Sequence, residues 1–227
     1  LLPTAVFAAT TYSIEVEPTV DGGTATIVAP KGDGFTNEKG KVSGLTAANQ
    51  FVTITAVAAT GYKFTNWKPY RLSGSNWSEI TMPAMLQKMI TYSSKEDGSS
   101  YSLTDQQTVL SIGSSMKANL KFVPVFAKAL SLTAVSSDSA KGSISGATEF
   151  FPGGEAVTLT AAPAEGCTFT GCTLIYTGSN EPVPSTDYTL KIEGNAVTLT
   201  LGTKVTSAVT VTGHFVNATE PNFIVPG

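Results

Sequence analysis

Apolar and small polar residues alternate with a period of two along much of the chain. Tyr12, Ile14 and Val16 point one way, then Val52, Ile54 and Ala56, then Val157, Leu159 and Ala161. Such alternation predicts half-buried β-strands. The intervening Thr53, Thr55, Thr158 and Thr160 suit an extended backbone with their hydroxyls in water. Asp21-Gly22-Gly23 and Pro152-Gly153-Gly154 punctuate the strands as turns. Helical spacing occurs at Met82, Met85, Leu86, Met89 and Ile90, with Thr81 as the expected N-cap and Pro83 in the first turn. The expected fold is mainly β, α+β at most.

The strands recur in order. VTITAVAATGYKFTNWK (Val52 to Lys68) and VTLTAAPAEGCTFTGCT (Val157 to Thr173) share eight of seventeen positions without a gap, against roughly one or two expected by chance. Before them stand YSIEVEP and the Pro152-Gly153-Gly154 turn, and after them come YSLTD from Tyr101 and YTLKI from Tyr188. ANLKFVPVF and AVTVTGHFV close the two copies at Phe126 and Val216. Pairing Tyr101 with Tyr188 gives the first copy about eighteen extra residues after Trp67, expected as a surface insertion. The resulting organisation is a first module at 9–127 with an insertion near 68–100, a second module at 128–216, and a linker at 217–227. Residues 1–8 read as the end of a preceding repeat or as a signal-peptide stub, and both readings imply export.

A turn glycine, VTLTA, a Pro/Ala linker and G-aromatic-x-F-x-x-W resemble the divergent internalin-B B-repeat, also called the Listeria-Bacteroides repeat. Gly61, Tyr62, Phe64 and Trp67 match the motif, and Gly166 and Phe169 carry it into the second copy, which departs at Cys167 and Cys172. The resemblance implies two tandem β-grasp-like or sandwich-like modules of a secreted or surface-displayed bacterial protein. It implies spacing, adhesion and ligand contact rather than catalysis, and Gly61, Tyr62, Phe64, Trp67, Gly166 and Phe169 as structural residues.

Tyr62 aligns with Cys167 and Trp67 with Cys172, so both cysteines of the chain stand where the sister copy is aromatic. A Cys167–Cys172 disulfide is expected, contributing about 2 kcal/mol in the chain-entropy model; the alternative is two buried thiols packing as small hydrophobes. Two cysteines and the lone His214 fall short of a four-ligand zinc site.

Composition removes several classes of function. Only 14% of residues are charged and the net charge is −3, so no basic field for nucleic acid is expected. No apolar run reaches the roughly 18 residues of a membrane span. His214 has no acid or nucleophile near it in sequence, and KGDGFTNEKG, with Asp33, Asn37 and Glu38, lacks the EF-hand spacing and reads as a solvated turn. No cofactor, metal or catalytic residue is assigned, and the protein is not expected to be an enzyme. Tyr70, Trp77 and Tyr92 lie in the insertion amid Ser, Gly and Asn, a setting that presents rings to a partner. The expected role is that of a non-catalytic extracellular spacer and adhesion unit contacting a host protein, a matrix protein or a glycan. The alternative is a carbohydrate-binding module that uses those three rings.

Overall fold

The structure, a computed structural model, describes residues 9–46, 49–115 and 117–218. The chain divides after Lys128 into two compact units. The proposed reading of residues 1–8 lies outside the described residues, as does most of the proposed C-terminal linker, although the last strand runs to Asn217.

The first module comprises β1 (Tyr12–Val16), β2 (Thr19–Val20), β3 (Gly23–Val28), β4 (Thr36–Glu38), β5 (Lys41–Leu45), β6 (Val52–Ala58), β7 (Tyr62–Ser73), β8 (Asn76–Glu79), α1 (Pro83–Met89), β9 (Ile90–Tyr92), β10 (Gln107–Ile112) and β11 (Leu120–Lys128). One sheet has the order β4-β5-β1-β11-β7-β8 and the other β2-β3-β6-β10-β9. The second module comprises β12 (Leu130–Ser136), β13 (Gly142–Gly146), β14 (Glu149–Phe150), β15 (Val157–Pro163), β16 (Cys167–Tyr176), β17 (Tyr188–Glu193), β18 (Ala196–Leu201) and β19 (Val209–Asn217). Its sheets run β14-β12-β19-β16 and β13-β15-β18-β17. Each module is thus a sandwich of two sheets, mainly β as the alternation predicts.

The alternating residues meet between the sheets. Ile14, Leu120 and Phe122 from one sheet pack with Ile54, Leu110 and Ile112 from the other; Leu132, Val209 and Val211 do the same with Leu159, Val197 and Leu199. In each module the first and last strands pair in parallel, Ile14 opposite Leu120 and Leu132 opposite Val209. That long-range pairing closes the sandwich and fixes the counterpart positions of the two copies.

Register also relocates the extra length of the first copy. The strand beside β10 is β9, as β17 lies beside β18, so Ile90–Tyr92 and not YSLTD is the counterpart of YTLKI. Residues 101–106 instead form a turned loop between β9 and β10. The added residues fall in two places: the β8 and α1 segment after Trp67, and this longer β9–β10 connection. The first is only partly a surface loop. β7 runs on to Ser73 and turns at Gly74 (φ +62) into β8, which becomes an edge strand of the sheet.

α1 starts one residue later than expected. Met82, not Thr81, is the N-cap, and no side chain caps the first turn. Pro83 occupies the first turn, where its missing N–H costs nothing. Met89 is buried and Met85 and Leu86 pack at the core margin, whereas Met82 is exposed. The apolar stripe therefore docks on the parent sandwich. In KGDGFTNEKG, Thr36–Glu38 is a strand of the β4–β5 hairpin, and Asn37 donates its side-chain amide to the Ile27 carbonyl at 3.0 Å; the expected solvated turn is confined to the residues before this strand and to the Lys39–Gly40 turn after it.

Candidate ligand-contact face and the repeat cores

Trp67 lies on β7 at 1% exposure. Its indole tilts against Phe64, with centroids 5.6 Å apart, and Phe64 meets Phe126 edge-on at 6.0 Å. A buried indole N–H needs an acceptor, and the 101–106 loop supplies one: Trp67 Nε1 donates to the Asp105 carbonyl at 3.1 Å. The loop is held by its own bonds. Lys95 Nζ donates to Asp105 Oδ1 at 2.7 Å, and the Ser102 N–H and hydroxyl donate to Oδ2 at 2.7 and 3.0 Å. Burial acts to raise the Asp105 carboxyl, but these donors outweigh it and hold the group below the usual carboxylate range.

The second copy solves the same packing problem differently. Cys172 stands opposite Gly213 as Trp67 stands opposite Pro124. β17 and β18 join by a tight turn at Gly194 (φ +61) with no counterpart of the Asp105 loop. Ile144, at the position of Ala25 in the first copy, packs over Gly213, where an added Cβ would sit 3.2 Å from it. Large Trp67 with small Ala25 is replaced by small Cys172 with larger Ile144.

The expected Cys167–Cys172 disulfide is therefore corrected. Both cysteines are free thiols. They lie on one extended strand, β16, where five residues span about 16 Å, more than twice the roughly 7 Å limit between Cα atoms of a bridge. The bulge at Gly171 (φ +144) adjusts the register without folding the strand back. Burial pushes the Cys172 thiol up to about 11, so about one molecule in a thousand carries the thiolate at pH 8. Alkylation of the unreduced protein is expected to label two thiols, with Cys172 labelling rising steeply as pH approaches 11. Mass spectrometry finding no alkylatable thiol would overturn this.

The remaining motif residues divide by role. Gly61 (φ +78) and Gly166 (φ +71) form the turns before β7 and β16. Phe64 and Phe169 are half-buried at the core margins, with Phe169 and Phe215 centroids 5.5 Å apart. Tyr62 is half-buried over the Gly22 turn, its hydroxyl 3.3 Å from Asp21 Oδ1. A second glycine–aromatic contact has only a faint signal in the sequence: Gly23 packs against Phe126 and its counterpart Gly142 against Phe215.

Of the three candidate contact rings, two come together. Tyr70 is opposite Lys121 and Glu79, and Trp77 pairs with Leu72 on the same outer face of the six-stranded sheet. Tyr92 lies in the other sheet and faces the core, where burial and the nearby Asp105 charge push its phenol up to about 12. The outer face carries an alternating row that the sequence does not reveal, Glu38, Lys41, Glu15, Lys121, Tyr70 and Glu79, one residue from each successive strand. Lys121 Nζ lies 4.8 Å above the Trp77 ring and 3.9 Å from both Glu15 and Glu17, a stacking of cation on indole. His214, on β19, lies with its Nε2 2.9 Å from the Thr173 hydroxyl. Among the described residues no group of three His, Cys, Asp or Glu side chains is placed to hold a metal, and no helix is long and apolar enough to cross a membrane.

With repeated two-sheet cores built around the G-aromatic-x-F-x-x-W positions, the chain belongs to the divergent InlB B-repeat domain family, whose model matches residues 24–92 and 130–219. No curated protein matches the chain. One similar solved structure is the crystal structure of BcpA*(D312A), the major pilin subunit of Bacillus cereus, with 13% identity and a TM-score of 0.26. The match covers 85% of this chain and 53% of the pilin, so the chain spans about half of that protein's length.

Proposed function

We propose that the chain is a pair of non-catalytic spacer and adhesion modules of a bacterial surface or secreted protein, with the outer face of the first module as its contact surface. One observation carries this reading. The residues that the copies share, Gly61 with Gly166, Phe64 with Phe169 and Phe126 with Phe215, build turns and core margins. Tyr70 and Trp77, which the second copy lacks, decorate an outer sheet face beside Lys121 and Glu79. The membership of a repeat family supports the same reading.

Two rings and a row of charges suit a host or matrix protein. Tyr70 and Trp77 also leave a second reading, a glycan stacked on them, with Tyr92 outside the set. An array of matrix proteins and glycans probed with the whole chain tests both. Trp77→Ala and Tyr70→Ala, checked for fold by circular dichroism, are each expected to weaken binding about thirtyfold, the usual loss at a central interface aromatic. Protein spots affected this way support the adhesion reading and glycan spots the second. Binding indifferent to both substitutions would remove this face from consideration.

A further inference from the structure

In the first module the outer edge of β1 is covered. Lys41, Val42 and Ser43 of β5 pair antiparallel with Glu15, Ile14 and Ser13, and Val16 N–H donates to the Gly40 carbonyl at 2.8 Å. The edge of β3 is covered by β2 and by the Asn37 amide. In the second module the counterpart of β5 is the two-residue β14, which reaches only Leu130 and Ser131, with Leu132 N–H donating to the Thr148 carbonyl at 2.8 Å. The chain enters β14 directly from β13 through Gly146 (φ +144), with no counterpart of the β4 hairpin.

Thr133 to Ser136 of β12 therefore have no hydrogen-bonded strand on their outer side among the described residues, although β13 runs close by across a groove. Amide direction alternates along a strand. Leu132 N–H points outward and Ser137 N–H points to Gly213 on the β19 side, so the N–H groups of Ala134 and Ser136 point outward. Beside them lies a groove of about 510 Å³ walled by Leu132, Ala134 and Ile144 together with Thr133, Ser145 and Thr148. β13 is itself the end strand of its sheet, with no counterpart of β2.

Side chains sharpen the contrast. The first copy carries Glu15, Val16, Glu17 and Pro18 where the second has Thr133, Ala134, Val135 and Ser136. Charges and proline are the usual protection of a strand edge. The covered strand thus has them and the open one does not.

We propose that the outer edge of β12 accepts an uncharged, extended segment of another polypeptide, which adds antiparallel as β5 does in the first module. Main-chain bonds from Ala134 and Ser136 supply affinity, and the groove, part aliphatic and part hydroxyl-lined, selects alternate small side chains. This acceptor stands whether or not the Tyr70 and Trp77 face binds a ligand.

The probe is an acetylated, amidated peptide with the sequence of residues 130–136, added in millimolar excess to the whole chain while amide hydrogen exchange is followed by NMR. Exchange at Ala134 and Ser136 is expected to slow about tenfold or more. A peptide N-methylated at alternate residues should have no effect, and the Thr133→Glu/Val135→Glu variant should lose the response while keeping its fold. Unchanged exchange with the plain peptide, or equal slowing by the methylated one, overturns the proposal. Sedimentation of the chain alone provides the second arm: a monomer leaves the edge free for another polypeptide, whereas a dimer dispersed by the peptide would make a second copy the occupant and overturn that assignment.

Discussion

Replacing Trp67 by alanine is expected to destabilise the first module by about 3–5 kcal/mol, the usual cost of deleting a buried large aromatic. The side chain is almost fully enclosed and touches the Phe64 ring. The Asp105 carbonyl that it leaves still accepts from the Thr108 hydroxyl at 3.0 Å, so the loss is mainly that of packing. Trp67→Cys, which installs the residue used by the second copy, is expected to cost nearly as much, because the thiol replaces little of the buried indole volume. Calorimetric unfolding of the two variants checks both values. A loss below about 1 kcal/mol for Trp67→Ala would mean that the surrounding side chains collapse into the cavity.

Gly23→Ala should be the next most damaging change, at about 3 kcal/mol, the upper end of ordinary overpacking. The added Cβ would meet the Val57 carbonyl oxygen and lie 2.5 Å from Phe126 Cζ. A backbone carbonyl within the β3–β6 ladder cannot step aside as a side chain can. At the counterpart Gly142, the nearest atoms all belong to the Phe215 ring, with the closest at 2.5 Å. Phe215 Cγ also lies 2.9 Å away, so relief needs the whole side chain to shift, which a side chain does more readily than a ladder carbonyl, and Gly142→Ala is expected to cost about 1 kcal/mol less. Equal midpoint shifts for the two variants in denaturant titrations would contradict this difference.

The two copies differ at linked positions around Trp67 and Cys172. In the first, a long β9–β10 connection brings the Asp105 carbonyl to the indole. In the second, a tight β17–β18 turn offers no such acceptor, and a smaller, weakly polar thiol fills the position. A cysteine pair aligned with two aromatics suggests a covalent substitute when only the sequence is considered. Strand geometry rules the bridge out, and Ile144 packs over Gly213, the residue opposite Cys172.

The sequence by itself determined the β class, the tandem copies, the short helix after Thr81 and the core character of Trp67. Each follows from local periodicity or from self-similarity, and both survive in a linear string because alternation reports which face of a strand is wet. Tertiary structure decided the rest. That Ile90–Tyr92 and not YSLTD lines β10, that Tyr70 and Trp77 share a face while Tyr92 turns inward, and that β12 is open where β1 is covered all depend on register. Register is a property of pairs of strands distant in sequence, and a shift of one residue exchanges the two faces of a sheet. Five residues between cysteines likewise mean a closed loop or a 16 Å span, about the length of five extended residues, according to whether the strand bends. Only the pairing of β16 with β19 shows that it remains extended.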